Sequence, residues 1–200
     1  MSIIGLVSIL FALINAVHLG HGAAATNRTY LIKKDLVSGL KGGEFTIYDS
    51  TGKKLQYRME SKVGVTHDVH VYAMPEKKLV ARLKAKVTAV LYKAALTIFD
   101  EGSNRWNNGT IEQNFKIVGN KFTIVWKGET ILMEGTAASL DTAFVAQSLG
   151  EVLGKFRKRV SSLFWKNKYD LQVLSNKYPD ALYFLGVASR DHSNKKIHRG

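Results

Sequence analysis

The sequence predicts a mainly β domain wrapped around one buried helix, and two observations carry that prediction. From Arg28 onward the chain reads as a succession of short strands in which apolar and polar side chains alternate with period two. Near the C-terminus the pattern changes. Tyr178-Pro179-Asp180-Ala181-Leu182-Tyr183-Phe184-Leu185-Gly186-Val187-Ala188 reads as a helix, apolar all round from Ala181 to Ala188. A helix without a solvated face has to be enclosed, and in a strand-rich chain the simplest enclosure is a sheet closed about it.

Two hundred residues suit one domain with a sizeable core. Only Pro75 and Pro179 interrupt the chain and no linker composition occurs, so one domain is the economical reading. Arg28 to Lys33 places Tyr30 and Ile32 on one strand face. Phe45-Thr46-Ile47-Tyr48 is a strand closed by the turn sequence Asp49-Ser50-Thr51-Gly52. Lys54 to Val63 alternates through Leu55, Tyr57 and Met59, and Val69 and Val71 mark the next strand, ended near Pro75. Leu79, Ala81, Leu83, Ala85 and Val87 then alternate with Val80, Arg82, Lys84 and Lys86, the pattern of a half-buried strand with a cationic outer face. Leu96-Thr97-Ile98-Phe99-Asp100 echoes the segment from Phe45 to Asp49. Further strands follow at Ile111–Val118, Lys121–Lys127 and Thr130–Gly135, with hairpin signals at Gly119-Asn120 and Gly128-Glu129. Residues 140–174 admit two readings. Leu149, Val152, Leu153, Phe156, Val160, Leu163 and Phe164 fall at helical spacing. The same stretch reads as a hairpin, Leu140–Gln147 and Val152–Val160 about a turn from Ser148 to Glu151, and Gly150 and Gly154 each weaken a helix by about 1 kcal/mol.

Residues 1–25 contain no charged side chain, and Ile3 to Val17 is almost continuously apolar before Ala23-Ala24-Ala25. That order predicts a secretory signal peptide over 1–25, cleaved near Ala25. The run is short for a membrane span of about 20 residues, and an uncleaved anchor through residues 3–17 is the alternative. The sequons Asn27-Arg28-Thr29 and Asn108-Gly109-Thr110 agree with export, and Asn108 is expected in a polar loop from Gly102 to Gly109.

Three stretches resemble the LURP-one-related family of the Tubby C-terminal-like superfamily, which includes phospholipid scramblases. They are Tyr30-Leu31-Ile32-Lys33-Lys34 through Gly43-Glu44-Phe45-Thr46-Ile47-Tyr48-Asp49-Ser50-Thr51-Gly52; Val152-Leu153-Gly154-Lys155-Phe156-Arg157-Lys158-Arg159; and Lys168-Tyr169-Asp170-Leu171-Gln172-Val173-Leu174 followed by Asp180-Ala181-Leu182 and the apolar helix. The likeness spans most of residues 28–192. It implies a closed antiparallel barrel of about twelve strands threaded by the C-terminal helix, with the domain running over 26–193 and a basic disordered tail over 194–200. It also favours the hairpin over the helix at 140–160. The export signal sets this chain apart from the better-known relatives, which act inside cells.

No catalytic constellation stands out. There is no G-x-S-x-G elbow, no phosphate-cradling glycine loop and no calcium-loop spacing of carboxylates. The absence of cysteine excludes disulfides, thiolate metal sites and a cysteine nucleophile. Ser189, Asp191 and His192 lie at helical offsets that cannot form an ordered triad. His67 and His70 point to opposite faces of a strand, cannot share a metal ion, and are expected at the surface. The resemblance likewise implies no common catalytic residues, and neither a cofactor nor a metal is expected.

Charge is the remaining signal. The chain carries a net charge of +13, and its pI is about 9.8. Such a surface attracts anionic lipid, sulfated glycan or nucleic acid, the last disfavoured by the export signal. The candidate anion- and lipid-binding residues are Arg82, Lys84 and Lys86 on one strand, Lys155, Arg157 and Arg159 on another, and Trp165 as an aromatic tip between Phe164 and Lys166. Lipid-phosphate binding is also what the Tubby-like resemblance implies. The expectation is a secreted, monomeric, non-enzymatic barrel that binds a polyanion, foremost anionic phospholipid. The alternatives are an extracellular interaction protein that engages sulfated glycan or protein, and a membrane-anchored, scramblase-like protein.

Overall fold

The computed structural model describes residues 27–35, 44–63, 66–86, 91–115, 120–135, 140–160 and 167–197. Residues 1–25, predicted as a signal segment, and Val87, Gly119 and Trp165 lie outside them, as does the side chain of Lys86. Twelve strands follow in chain order: β1 (Arg28–Lys34), β2 (Phe45–Asp49), β3 (Leu55–Val63), β4 (Thr66–Ala73), β5 (Lys78–Lys86), β6 (Lys93–Asp100), β7 (Arg105–Asn114), β8 (Asn120–Trp126), β9 (Glu129–Gly135), β10 (Asp141–Ala146), β11 (Val152–Lys158) and β12 (Lys168–Val173). The helix α1 (Asp180–Ile197) ends the chain. Each strand pairs antiparallel with its neighbours in sequence, and β1 pairs with β12, from Arg28 opposite Val173 to Lys33 opposite Lys168. The result is a closed twelve-stranded barrel, which leaves no unpaired strand edge.

The period-two alternation read from the sequence sets the inner face. Tyr30, Ile32, Phe45, Ile47, Val69, Val71, Leu96, Ile98, Leu171 and Val173 are all buried. The helix fills the space they surround. Phe184 meets Tyr30 of β1 and Tyr57 of β3 at ring-centroid distances of 5.2 and 4.9 Å. Tyr183 meets Phe144 of β10 at 5.0 Å, and His192 stacks on His67 of β4 at 4.0 Å. Contacts on so many sides place the helix inside the barrel, as an all-round apolar helix requires. Gly186 is needed where the helix passes β9 and β10: a Cβ there would lie 2.6 Å from the Phe144 ring and 3.1 Å from the Met133 sulfur. The helix opens at Asp180, a carboxylate at the positive end of the helix dipole, and Arg28 binds that carboxylate at 2.8 Å.

Residues 140–160 form the β10–β11 hairpin, with Gly150 at φ 66° in its turn. The helical spacing of the apolar residues there is an accident of two strands placed end to end. The β8–β9 hairpin turns through Lys127 and Gly128, both at positive φ, one residue earlier than the hairpin signal indicates. Three further expectations are corrected. The register between β4 and β5 shifts at Val71/Tyr72, so Val80 falls in a bulge and is buried, whereas simple alternation puts it outside. β7 begins at Arg105, so Asn108 lies within a strand rather than in a loop. The helix continues to Ile197, into the stretch read as a disordered tail, because propagation adds one backbone bond per residue once a helix is established.

Candidate anion-binding faces

The outer surface carries two separate basic faces. The first spans β5, β6 and β7. Arg82 and Lys84 are exposed on β5, as the alternation predicts. Thr97 of β6 lies directly opposite Arg82, and Asn108 of β7 lies directly opposite Thr97. The Arg82 guanidinium sits 5.7 Å from the centroid of Trp106, a ring left 44% exposed. Trp106 contacts its cross-strand partner Phe99 at 5.5 Å, and the Lys78 ammonium stands 4.8 Å from the Phe99 ring. Lys78, Arg82 and Lys84 form no ion pair with any described residue. This face is a ladder of cations and aromatic rings, and each cation–ring contact at an exposed site contributes about 0.5–1 kcal/mol.

The second face spans β11, β12 and β1. Lys155, Arg157 and Arg159 share its outer side, as expected, but two of them are engaged. Arg159 grips Asp170 in a bidentate pair at 2.6 and 2.7 Å, and Arg157 stands 3.6 Å from Asp141. Lys33 and Lys168 lie directly opposite each other, an arrangement of like charges that destabilises a sheet unless an anion intervenes. The Arg159 amide donates to the Lys168 carbonyl, which extends that row to three adjacent cationic positions. A shallow groove of about 390 Å³ crosses the same face, lined by Thr29, Lys155, Arg157, Asp170 and Gln172. Lys33, Lys155 and Lys168 form no ion pair with any described residue.

No family model, curated protein or solved structure matches this chain.

Geometry on this chain therefore bears the argument. In a twelve-membered ring β11, β12 and β1 are each six strands from β5, β6 and β7, the largest separation such a ring allows. The two basic clusters read from the sequence are not parts of one site. Among the described side chains of the flanking strands, Arg58 on β3 pairs with Glu44 at 2.7 Å and Lys121 on β8 pairs with Glu134.

The sequence reading missed three features. Trp106 is the aromatic beside Arg82, and the polar run from Asn107 to Thr110 carries no alternation that marks it as strand. His67, expected at the surface, is buried. Its Nδ1 lies 3.2 Å from the Tyr92 hydroxyl and its ring stacks on His192, while His70 faces outward near Asp68. Lys34 is buried too. It forms an ion pair with Asp191, which also accepts from the Tyr169 hydroxyl at 2.7 Å and the Asn167 amide at 3.2 Å. Burial pushes the Tyr169 phenol up, and the adjacent Asp191 charge adds to it. Ser189 donates to the Leu185 carbonyl at 2.8 Å, so Ser189, Asp191 and His192 serve three different contacts.

A cleft of about 390 Å³ opens where the helix begins, lined by Tyr57, Val80, Phe99, Glu101, Tyr178 and Asp180 among others. Its two cations are paired, Arg28 with Asp180 and Lys177 with Glu129, so the cleft offers no comparable cationic surface. Among the described residues no group of three or more His, Asp or Glu side chains is placed to hold a metal ion, and no helix is long and apolar enough to cross a membrane. Asn27 and Asn108 are both exposed. Asn108 accepts from the Thr97 hydroxyl at 2.9 Å and points to the same side of the sheet as Arg82 and Trp106.

Proposed function

We propose that the protein is a non-enzymatic barrel of the LURP-one type that docks on anionic phospholipid bilayers through its β5–β7 face. One observation carries the reading: Arg82 lies over the exposed ring of Trp106, with Lys78 and Lys84 on the same strand and none of the three in an ion pair with a described residue, although Asp68 lies across the ladder from Lys84. A tryptophan flanked by cations suits the bilayer interface, where the ring enters the headgroup layer and the cations meet phosphate. The net charge of +13 and the resemblance of Tyr30–Gly52, Val152–Arg159 and Lys168–Leu174 to LURP-one-related proteins support the same reading.

Each cation near an anionic surface contributes about 1 kcal/mol, so Lys78, Arg82 and Lys84 together account for up to a hundredfold in affinity, roughly. Replacing all three by glutamine is expected to weaken binding to phosphatidylserine-containing vesicles by about tenfold or more. The same loss of charge at Lys53, Lys54 and Lys177, around the barrel end, is expected to do much less. Vesicle co-sedimentation at physiological salt measures both. Equal losses from the two triple variants point to diffuse attraction and sink the site assignment, and a wild-type protein that binds only sulfated glycan redirects the reading to that partner.

Asn108 provides an independent check. A glycan attached there stands on the docking face, two residues along β7 from Trp106 and two strands from Arg82. Protein glycosylated at Asn108 is expected to bind anionic vesicles about tenfold more weakly than Asn108→Gln from the same host, the effect of masking one or two cations. Equal binding by the two preparations shows that the contact lies elsewhere.

A further inference from the structure

We infer that the barrel bridges two anionic bilayers, one against each basic face. The inference rests on the docking reading above and extends it from one surface to two. Its basis is the ring order. Lys78, Arg82 and Lys84 all lie on β5, with Trp106 on β7, while Lys155, Lys168 and Lys33 lie on β11, β12 and β1, six, five and four strands from β5 by the shorter way round the closed ring of twelve. Outer side chains four to six strands apart in a closed ring of twelve point away from one another, to separate sides of the barrel. A planar bilayer that touches one face therefore cannot touch the other. Among the described side chains of the strands between them, Arg58 is held by Glu44, Asp35 and Glu60, and Lys121 by Glu134.

The second face has its own reason to recruit an anion. Lys33 and Lys168 are directly opposite across the β1–β12 seam, with Arg159 next in the row. Lys33 and Lys168 repel each other in the free protein, since only Arg159 of the row has a carboxylate partner, Asp170, and an anionic surface relieves that repulsion. The groove beside it presents Thr29, Lys155, Arg157 and Gln172, side chains that reach phosphate oxygens by charge and hydrogen bonding. Asp170 and Asp141 offset part of that attraction through Arg159 and Arg157. The outer positions Thr29, Leu31 and Lys33 on β1, Lys168, Asp170 and Gln172 on β12, and Lys155 and Arg157 on β11 are not aromatic, and the ring at the edge of this face is the half-buried Tyr48 of β2, 4.2 Å from the Lys33 ammonium. The two contacts thus differ in kind. The β5–β7 face adds interfacial insertion of the exposed Trp106 to its charge, while the other face, whose neighbouring Tyr48 ring is half-buried, acts chiefly by charge and hydrogen bonding and is the weaker and more salt-sensitive of the two.

The test uses the full chain without glycan, with vesicles of phosphatidylcholine containing phosphatidylserine. Binding is measured by co-sedimentation and clustering by dynamic light scattering. Wild type is expected to cluster anionic vesicles and to leave pure phosphatidylcholine vesicles dispersed. Clustering is expected to peak at intermediate protein and to fall when every vesicle is coated, and to disappear at a lower salt concentration than binding does. Two variants separate the faces: Arg82→Gln with Lys84→Gln, and Lys33→Gln with Lys155→Gln and Lys168→Gln. Compared with wild type at equal bound protein, each is expected to lose about tenfold or more of the clustering rate. Clustering by the second variant at the wild-type rate overturns the inference, because self-association through one face then explains it. Wild-type binding without clustering also overturns it and leaves single-face docking intact. Failure of wild type to bind vesicles at all removes the docking reading itself, as does clustering produced only by a sulfated polymer.

Discussion

Leu185→Asp is expected to leave the protein unfolded. Leu185 sits in the centre of α1, its side chain has no exposure, and Leu182, Tyr183, Phe184 and Val187 around it are equally enclosed. A carboxylate there has no cation to pair with and no water to solvate it. Burying it costs several kcal/mol, against a total stability of about 5–15 kcal/mol for a domain of this kind. Loss of the leucine also opens a cavity, and truncation of a buried leucine alone costs about 2–5 kcal/mol. Leu149 is the control. It is 73% exposed in the β10–β11 turn, and Leu149→Asp is expected to change stability by no more than about 0.5 kcal/mol. Thermal melting followed by circular dichroism distinguishes the two. A cooperative transition for Leu185→Asp near the wild-type temperature shows that the helix is not enclosed.

Alkaline pH is expected to unfold the barrel in one cooperative step above pH 10, roughly the ordinary phenol pKa. Four buried tyrosines, Tyr30, Tyr92, Tyr169 and Tyr183, have phenols pushed well above that value. Burial is the first cause in each. The Asp180 carboxylate adds to it at Tyr30 and Tyr183, and Asp191 does so at Tyr169. A group whose pKa is raised by folding contributes stability that is complete below its unfolded pKa and is lost as pH climbs toward its folded pKa. Each such phenol removes up to about 1.4 kcal/mol per pH unit in that window, so four remove about 5 kcal/mol per unit, enough to exhaust a domain's stability within one to two units. Absorbance at 295 nm reports tyrosinate and far-ultraviolet circular dichroism reports the sheet. Most of the tyrosinate signal is expected to appear together with the loss of the sheet. Full ionisation of all the tyrosines while the sheet signal persists contradicts the burial of these rings.

Much of the fold was legible in the sequence because its information is local. The inward positions of β1, β6 and β12 follow from alternation, and a strand keeps that period whatever it pairs with. The exceptions occur where two strands negotiate their register. Val80 and Leu153 are skipped by the pairing between β4 and β5 and between β10 and β11, and both turn inward. A single strand's pattern carries no record of a bulge, because the extra residue is defined only relative to the partner.

The candidate site divides in the same way. Arg82 and Lys84 on one outer face, and Lys155, Arg157 and Arg159 on another, are consequences of period two, and the sequence alone determined them. Tertiary structure alone decided what each faces. Closure of the ring between β1 and β12 brought Lys33 opposite Lys168 across 135 residues of chain and set the two basic faces on opposite sides of the barrel. Register placed Asp170 within reach of Arg159, Trp106 beside Arg82, and the helix carboxylate of Asp191 on the buried Lys34. Side-chain direction along a strand is fixed by backbone geometry within two or three residues. The partner of a charge is fixed by which distant strand lies alongside and in what register, and that depends on packing the whole barrel around its helix.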